Sequence, residues 1–119
     1  MKTKLLTTTL FWLCVTAVAQ SGQPHRKPFV TSEPMVHDPV MAYEDSTYYL
    51  FCTGIGIQQM TSRDRKTWTV LPEPIMTVMP QWTGDSVPGF THHVWAPDVI
   101  RWHGRWWLAY SCSTFGKNG

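Results

Sequence analysis

The sequence has no apolar run long enough to cross a membrane as a helix. Such a span needs about 20 consecutive apolar residues, and the longest candidate, Leu10–Ala19 (LFWLCVTAVA), has ten. Lys2 and Lys4 precede this run, and Ala17-Val18-Ala19 closes it with a small-x-small pattern ahead of Gln20. That is the layout of a secretory signal peptide over residues 1–19. Cys14 lies inside it without the small residues expected before a lipidated cysteine. The expected mature chain starts near Gln20, is secreted or periplasmic, and has no membrane partner.

A charge excess is also missing. Ten Lys and Arg stand against eight Asp and Glu, and loss of Lys2 and Lys4 leaves eight of each. No basic stripe remains to bind nucleic acid or an anionic membrane surface. Cysteine is scarce: beyond Cys14 only Cys52 and Cys112 remain, in strand-like runs without a metal-site spacing. An oxidising compartment permits a disulfide, and the sequence leaves open whether the two pair or are separate buried thiols. Helical periodicity is absent over the length a helix needs.

Aromatic residues are abundant. Six of seven tryptophans and all four tyrosines follow the leader. Such residues build β cores, and they also stack on sugar rings. Residues 20–34 (QSGQPHRKPFVTSEP) are polar, carry three prolines and read as a tail. Short strands are then predicted at residues 39–43, 47–53, 57–62 and 68–71, a four-stranded meander. The stretch TYYLFCT is apolar on both faces, so it must be covered on both sides and a second sheet is required.

The sequence offers one, with strands predicted at 99–102 and 105–111. Pro39 and Pro97 stand 58 positions apart, as do Tyr48-Tyr49-Leu50 and Trp106-Trp107-Leu108. A proline, a strand, a tight turn and an aromatic strand thus recur, which suggests propeller blades. The spacing exceeds the usual blade period of about 40–50 residues. The excess lies in the loop 72–94, rich in proline and glycine, and long loops of this kind often carry function. At 119 residues the chain has room for one small domain or part of a larger one.

Within MVHDPVMAY, Asp38 stands between His37 and Pro39 among apolar neighbours. Burying a carboxylate costs several kcal/mol unless it is paired or used. In HDPV (37–40), SRDRKTW (62–68), WAPDVI (95–100) and STFGKNG (113–119), in this order and spacing, the sequence resembles glycoside hydrolase family 43. It is most similar to the endo-1,5-α-L-arabinanase branch, and the histidine upstream of Trp95 in THHVWAPD fits that version.

The resemblance implies a five-bladed β-propeller and an inverting mechanism on plant arabinan. The chain would hold the first blade and half of the second, over residues 35–119. It also implies that Asp38 is the general base. A second aspartate and a glutamate acid would come from the third and fourth blades, beyond this chain. An inverting glycosidase needs base and acid on opposite sides of the scissile bond, and Glu33, Glu44 and Glu73 match no family motif. The chain alone is therefore expected to be inactive, and to expose apolar strands and aggregate.

For substrate binding, the resemblance implies Asp38, Trp95, Phe115 and Asn118, although Lys117 stands where relatives carry Ser or Asn. Core packing is the alternative for Trp95, and His37 either orients the site or simply packs. Asp98 is a family motif residue outside the catalytic set. Asp64 and Trp68 read as structural. Adjacent His92 and His93 would point to opposite faces of a strand and make a poor ligand pair. No cofactor is expected in this chain, since the calcium common in the family takes its histidine contact from a late blade. The alternatives are an exo-acting arabinofuranosidase or β-xylosidase on the same fold, or a non-catalytic carbohydrate-binding module.

Overall fold

The structure is a computed structural model that describes residues 26–114. The leader at 1–19, Phe115, Lys117 and Asn118 lie outside the described residues. The elements are β1 (Phe29–Thr31), β2 (Val40–Glu44), β3 (Thr47–Cys52), β4 (Gly54–Ile55), β5 (Gln58–Ser62), β6 (Trp68–Val70), α1 (Gln81–Ser86), β7 (His93–Trp102) and β8 (Arg105–Cys112). They form two antiparallel sheets, one ordered β1-β6-β5-β3-β2 and the other β4-β7-β8.

The meander expected from alternation is present as β2, β3, β5 and β6. It gains a fifth strand from the segment read as a tail, because Phe29–Thr31 pairs with Trp68–Val70. The brief β4 leaves the first sheet directly after β3 and pairs with the start of β7 (Gly54↔Val94, Ile55↔His93). One strand path thus feeds both sheets and fixes their relative position.

The two faces of β3 explain its composition. Leu50 and Cys52 point into a core with Met60 and Trp68, against which Val36, Tyr48 and Val70 pack. Tyr49 and Phe51 face the second sheet across a space also lined by Ala42, Val99, Trp106 and Leu108. Glu44 closes one edge of this space. It accepts a hydrogen bond from the Trp106 indole at 2.9 Å and pairs with Arg101 at 3.1 Å.

The repeat is visible in the backbone. β2–β3 and β7–β8 are hairpins of the same register about two-residue turns, Asp45-Ser46 and His103-Gly104. All four turn residues have positive φ, as a type I′ turn requires. The β7 register carries an irregularity between Trp95 and Asp98, around Pro97, because proline has no N–H for the ladder.

The long loop differs from the expectation of no helix. It carries α1, whose Thr83 is buried and donates its hydroxyl to Pro80 O at 2.7 Å. Six residues are too few for an amphipathic period to be read from sequence. The loop is fastened at Gly56-Ile57, where Met76 N–H bonds Gly56 O and Ile75 N–H bonds Ile57 O. Cys52 and Cys112 are both free thiols, which answers the open question of their pairing. Burial pushes both thiols up from their ordinary range.

Candidate active site

Three chain segments meet where β2 begins, β3 ends and β7 bulges. Asp38 stands just before β2. Its φ is +49°, a left-handed conformation that aspartate tolerates better than most residues. Thr53 sits between β3 and β4, and Ala96 sits in the irregular part of β7. The Thr53 hydroxyl donates to Asp38 Oδ2 at 2.9 Å and accepts the Ala96 N–H at 2.9 Å. Thr53 N–H bonds His37 O at 3.0 Å. The junction is thus hydrogen-bonded through one side chain.

His37 Nδ1 also lies 2.7 Å from Asp38 Oδ2. The pair is open to solvent, with side-chain exposures of 76% for His37 and 40% for Asp38. This corrects the expectation of a carboxylate held among apolar neighbours. The apolar residues of MVHDPVMAY do not gather around it: Val36 packs on the core and Ala42 is buried, while Met35, Met41 and Tyr43 are exposed. The Thr53 hydrogen bond, then the His37 hydrogen bond, hold the Asp38 carboxyl below its ordinary range against a small opposing effect of desolvation. Asp38 therefore stays ionised, with Oδ1 left for another donor, which is what a group that takes a proton from water must offer.

Trp95 lies one residue from the junction and is half-buried. Its ring packs on His93 with centroids 4.4 Å apart, and its carbonyl accepts the Ser111 hydroxyl at 3.2 Å. Structure and sequence together thus bring Asp38 and Trp95 to one end of the sheets. Phe115 and Asn118 lie outside the described residues. Asp98 is exposed and bonds the N–H of Val99.

The remaining candidates do other work. Asp64 accepts the N–H groups of Lys66 and Thr67 at 2.8 Å each and the Ser62 hydroxyl, so it builds a turn. Those backbone donors hold its carboxyl low. His92 packs on Phe90 and His93 on Trp95, so the two rings diverge. Among the described residues no three His, Cys, Asp or Glu side chains gather as a metal site.

Volume alone would point elsewhere. A cavity of about 600 Å³ lies over the outer strands, lined by Arg26, Phe29, Glu33, Ile55 and Glu73 among others. Asp38 is not part of it. Asp38, an exposed carboxylate held by Thr53 and His37, stands instead at the strand junction, and that geometry is the better mark of chemistry.

Thr53 was missed in the sequence. Its signal lay in the 58-residue repeat, which aligns Thr53 with Ser111, so both hairpins carry a hydroxyl at the end of their second strand.

Comparison with known proteins places these features in a family. The sequence profile of Glycosyl hydrolases family 43 matches residues 11–119. An extracellular exo-alpha-(1->5)-L-arabinofuranosidase of Cellvibrio japonicus is 46% identical over 83 residues, covering 70% of this chain and 24% of that protein. An extracellular endo-alpha-(1->5)-L-arabinanase of Bacillus subtilis is 38% identical over 91 residues, covering 73% and 28% respectively. The crystal structure of an exo-1,5-alpha-L-arabinanase from a bovine ruminal metagenomic library superposes with a TM-score of 0.70 at 52% identity, covering 74% of this chain and 28% of that one. The chain spans about a quarter of the length of the curated relatives it matches. By the extent of the profile match and the shared mostly-β architecture, the chain belongs to glycosyl hydrolases family 43.

Proposed function

We propose that this chain supplies the base side of a secreted, inverting glycosidase that cleaves α-1,5-arabinofuranosyl links of arabinan. The observation that supports it most is the Asp38 carboxylate. It is exposed, its Oδ2 is held by Thr53 and His37, and its pKa is lowered by those contacts. An ionised, oriented carboxylate beside open space can polarise a water for attack on an anomeric carbon. Trp95, with Phe115 and Asn118, would wall the sugar pocket, and the sheets would be the opening blades of a five-bladed propeller. No cofactor is assigned to this chain, because the calcium common in the family takes its histidine contact from a late blade. Export fits the extracellular relatives.

The acid half is not proposed from within this chain. Glu44 is engaged by Arg101 and Trp106 between the sheets. Glu33 and Glu73 line the cavity over the outer strands. In this reading the 119-residue chain alone releases no sugar from linear arabinan, and measurable release would overturn the assignment of the acid elsewhere.

Internal cleavage is the leading mode, by the motif resemblance to the endo branch. Exo action is the second reading, favoured by higher identity to the exo-named relative, 46% against 38%. The complete enzyme acting on linear arabinan separates them. A ladder of oligosaccharides early in the reaction supports endo cleavage, and a single short product from the first minutes supports exo cleavage. Initial formation of the inverted anomer, followed by proton NMR, tests the mechanism, and a retained anomer would refute it.

A further inference from the structure

We infer that Thr53 is a positioning residue for the reaction, holding Oδ2 of Asp38 so that Oδ1 faces the attacking water. This rests on the reading of Asp38 as the base. A threonine hydroxyl has one proton to give. At Thr53 the Ala96 N–H occupies an acceptor site of the oxygen at 2.9 Å, which leaves the proton for Asp38 Oδ2 at 2.9 Å. The side chain has few ways to turn, because β-branching restricts χ1. Its backbone is held too, by the bond from Thr53 N–H to His37 O and by strands on both sides, β3 and β4.

His37 touches the same oxygen, but its side chain is 76% exposed and lacks such anchoring. Thr53 is therefore the fixed partner. Both contacts converge on Oδ2, and among the described residues no side chain or N–H bonds Oδ1. The repeat supplies a comparison. Ser111 occupies the equivalent position in the second hairpin, where Ala96 stands in the place of Asp38, and its hydroxyl turns to the Trp95 carbonyl. The hydroxyl recurs in both hairpins, and only the first directs it at a carboxylate.

A purely structural joint between the sheets would also place a threonine here, so the test needs a readout that a joint would not move. Among the described residues, few titratable groups surround the carboxylate. His37 touches it. Cys52 on β3 approaches the backbone of His37, His93 on β7 packs on Trp95, and Asp98 on β7 bonds its neighbour's N–H.

The experiment compares Thr53→Val, Thr53→Ser and Asp38→Asn in the complete enzyme, with kcat, KM and the pH profile measured on an arabino-oligosaccharide. Thr53→Val should lower kcat about ten- to a hundredfold with little change in KM. Its acid limb should move to higher pH, because the donor that favours the ionised carboxylate is gone. Thr53→Ser should restore both kcat and limb. If Thr53→Val does not fold, Thr53→Ala is read in the same way. Wild-type kcat and an unmoved limb in the hydroxyl-less variant, with Asp38→Asn inactive, would overturn the role of Thr53. An active Asp38→Asn enzyme would instead overturn the reading of Asp38 as base.

Discussion

Asp38 and Ala96 occupy one position of a two-unit repeat. They stand 58 residues apart, each directly before a proline, and both have positive φ, +49° and +44°. A proline disfavours helical values in the residue before it, and a left-handed non-glycine residue costs about 1–2 kcal/mol. At Asp38 the conformation aims a carboxylate at Thr53. At Ala96 it aims an N–H at the same hydroxyl. Strain held at a site by surrounding contacts is a common sign of function.

Relief of that strain is predicted to stabilise the protein. Ala96→Gly keeps the N–H and removes the penalty of a Cβ at positive φ. The gain should be about 0.5–1 kcal/mol after the entropy that glycine adds to the unfolded chain. Urea unfolding of the complete domain checks it, and a loss of stability would show that Ala96 is not strained.

Gly56→Ala should act in the opposite direction. Gly56 has φ +63°, and an added Cβ would run into the Met76 carbonyl. That carbonyl belongs to the loop fastened by Met76 N–H on Gly56 O. Backbone cannot give way cheaply, so a cost of about 2–4 kcal/mol is expected. Thermal melts measure it, and an unchanged Tm would mean that the loop is not seated as described.

The Glu44–Arg101 pair should contribute little by itself. The two side chains are 34% and 56% exposed, and the pair spans 3.1 Å. A double-mutant cycle to alanine should give a coupling of about 0.5 kcal/mol that fades in high salt. Glu44→Ala alone should cost about 1 kcal/mol, because the Trp106 indole also loses its acceptor. A coupling above about 2 kcal/mol would mark the pair as far less solvated than its exposure implies.

Asp64 predicts a pH dependence of stability. Backbone N–H groups of Thr67 and Lys66 hold its folded carboxyl below the ordinary range. A group with a depressed folded pKa stabilises fully above its unfolded pKa, and that stabilisation is lost as pH falls through the folded value. Asp64→Ala should therefore melt below wild type by a constant margin near neutral pH. The margin should narrow once the pH drops below the ordinary aspartate range. A margin that persists unchanged into strong acid would contradict the assignment.

The architecture was legible where side-chain alternation carries it. TYYLFCT required cover on both faces, and β3 has it, with Leu50 and Cys52 on one side and Tyr49 and Phe51 on the other. The offset between Pro39 and Pro97 reappears as two hairpins of one register. Three features were not legible. β1 is three residues of a polar, proline-rich segment whose strand character comes only from pairing with β6. α1 has six residues inside a loop, too short for a period to show. Thr53 carries no sign of its partners, because Asp38 is 15 residues away and Ala96 is 43. Only the fold brings those three together. Asp38 was singled out by its motif, and its exposure was misjudged because apolar neighbours in sequence need not surround a residue in the fold.

The most direct test of the account is the turnover of Asp38→Asn in the complete enzyme on linear arabinan, with folding verified by an unchanged circular dichroism spectrum and a cooperative melt. The amide keeps the shape of the side chain and cannot accept the proton of the attacking water. The account predicts that kcat falls about a thousandfold or more. Turnover near that of the wild type, in a folded variant, would contradict it and leave Asp38 as a structural residue of the strand junction.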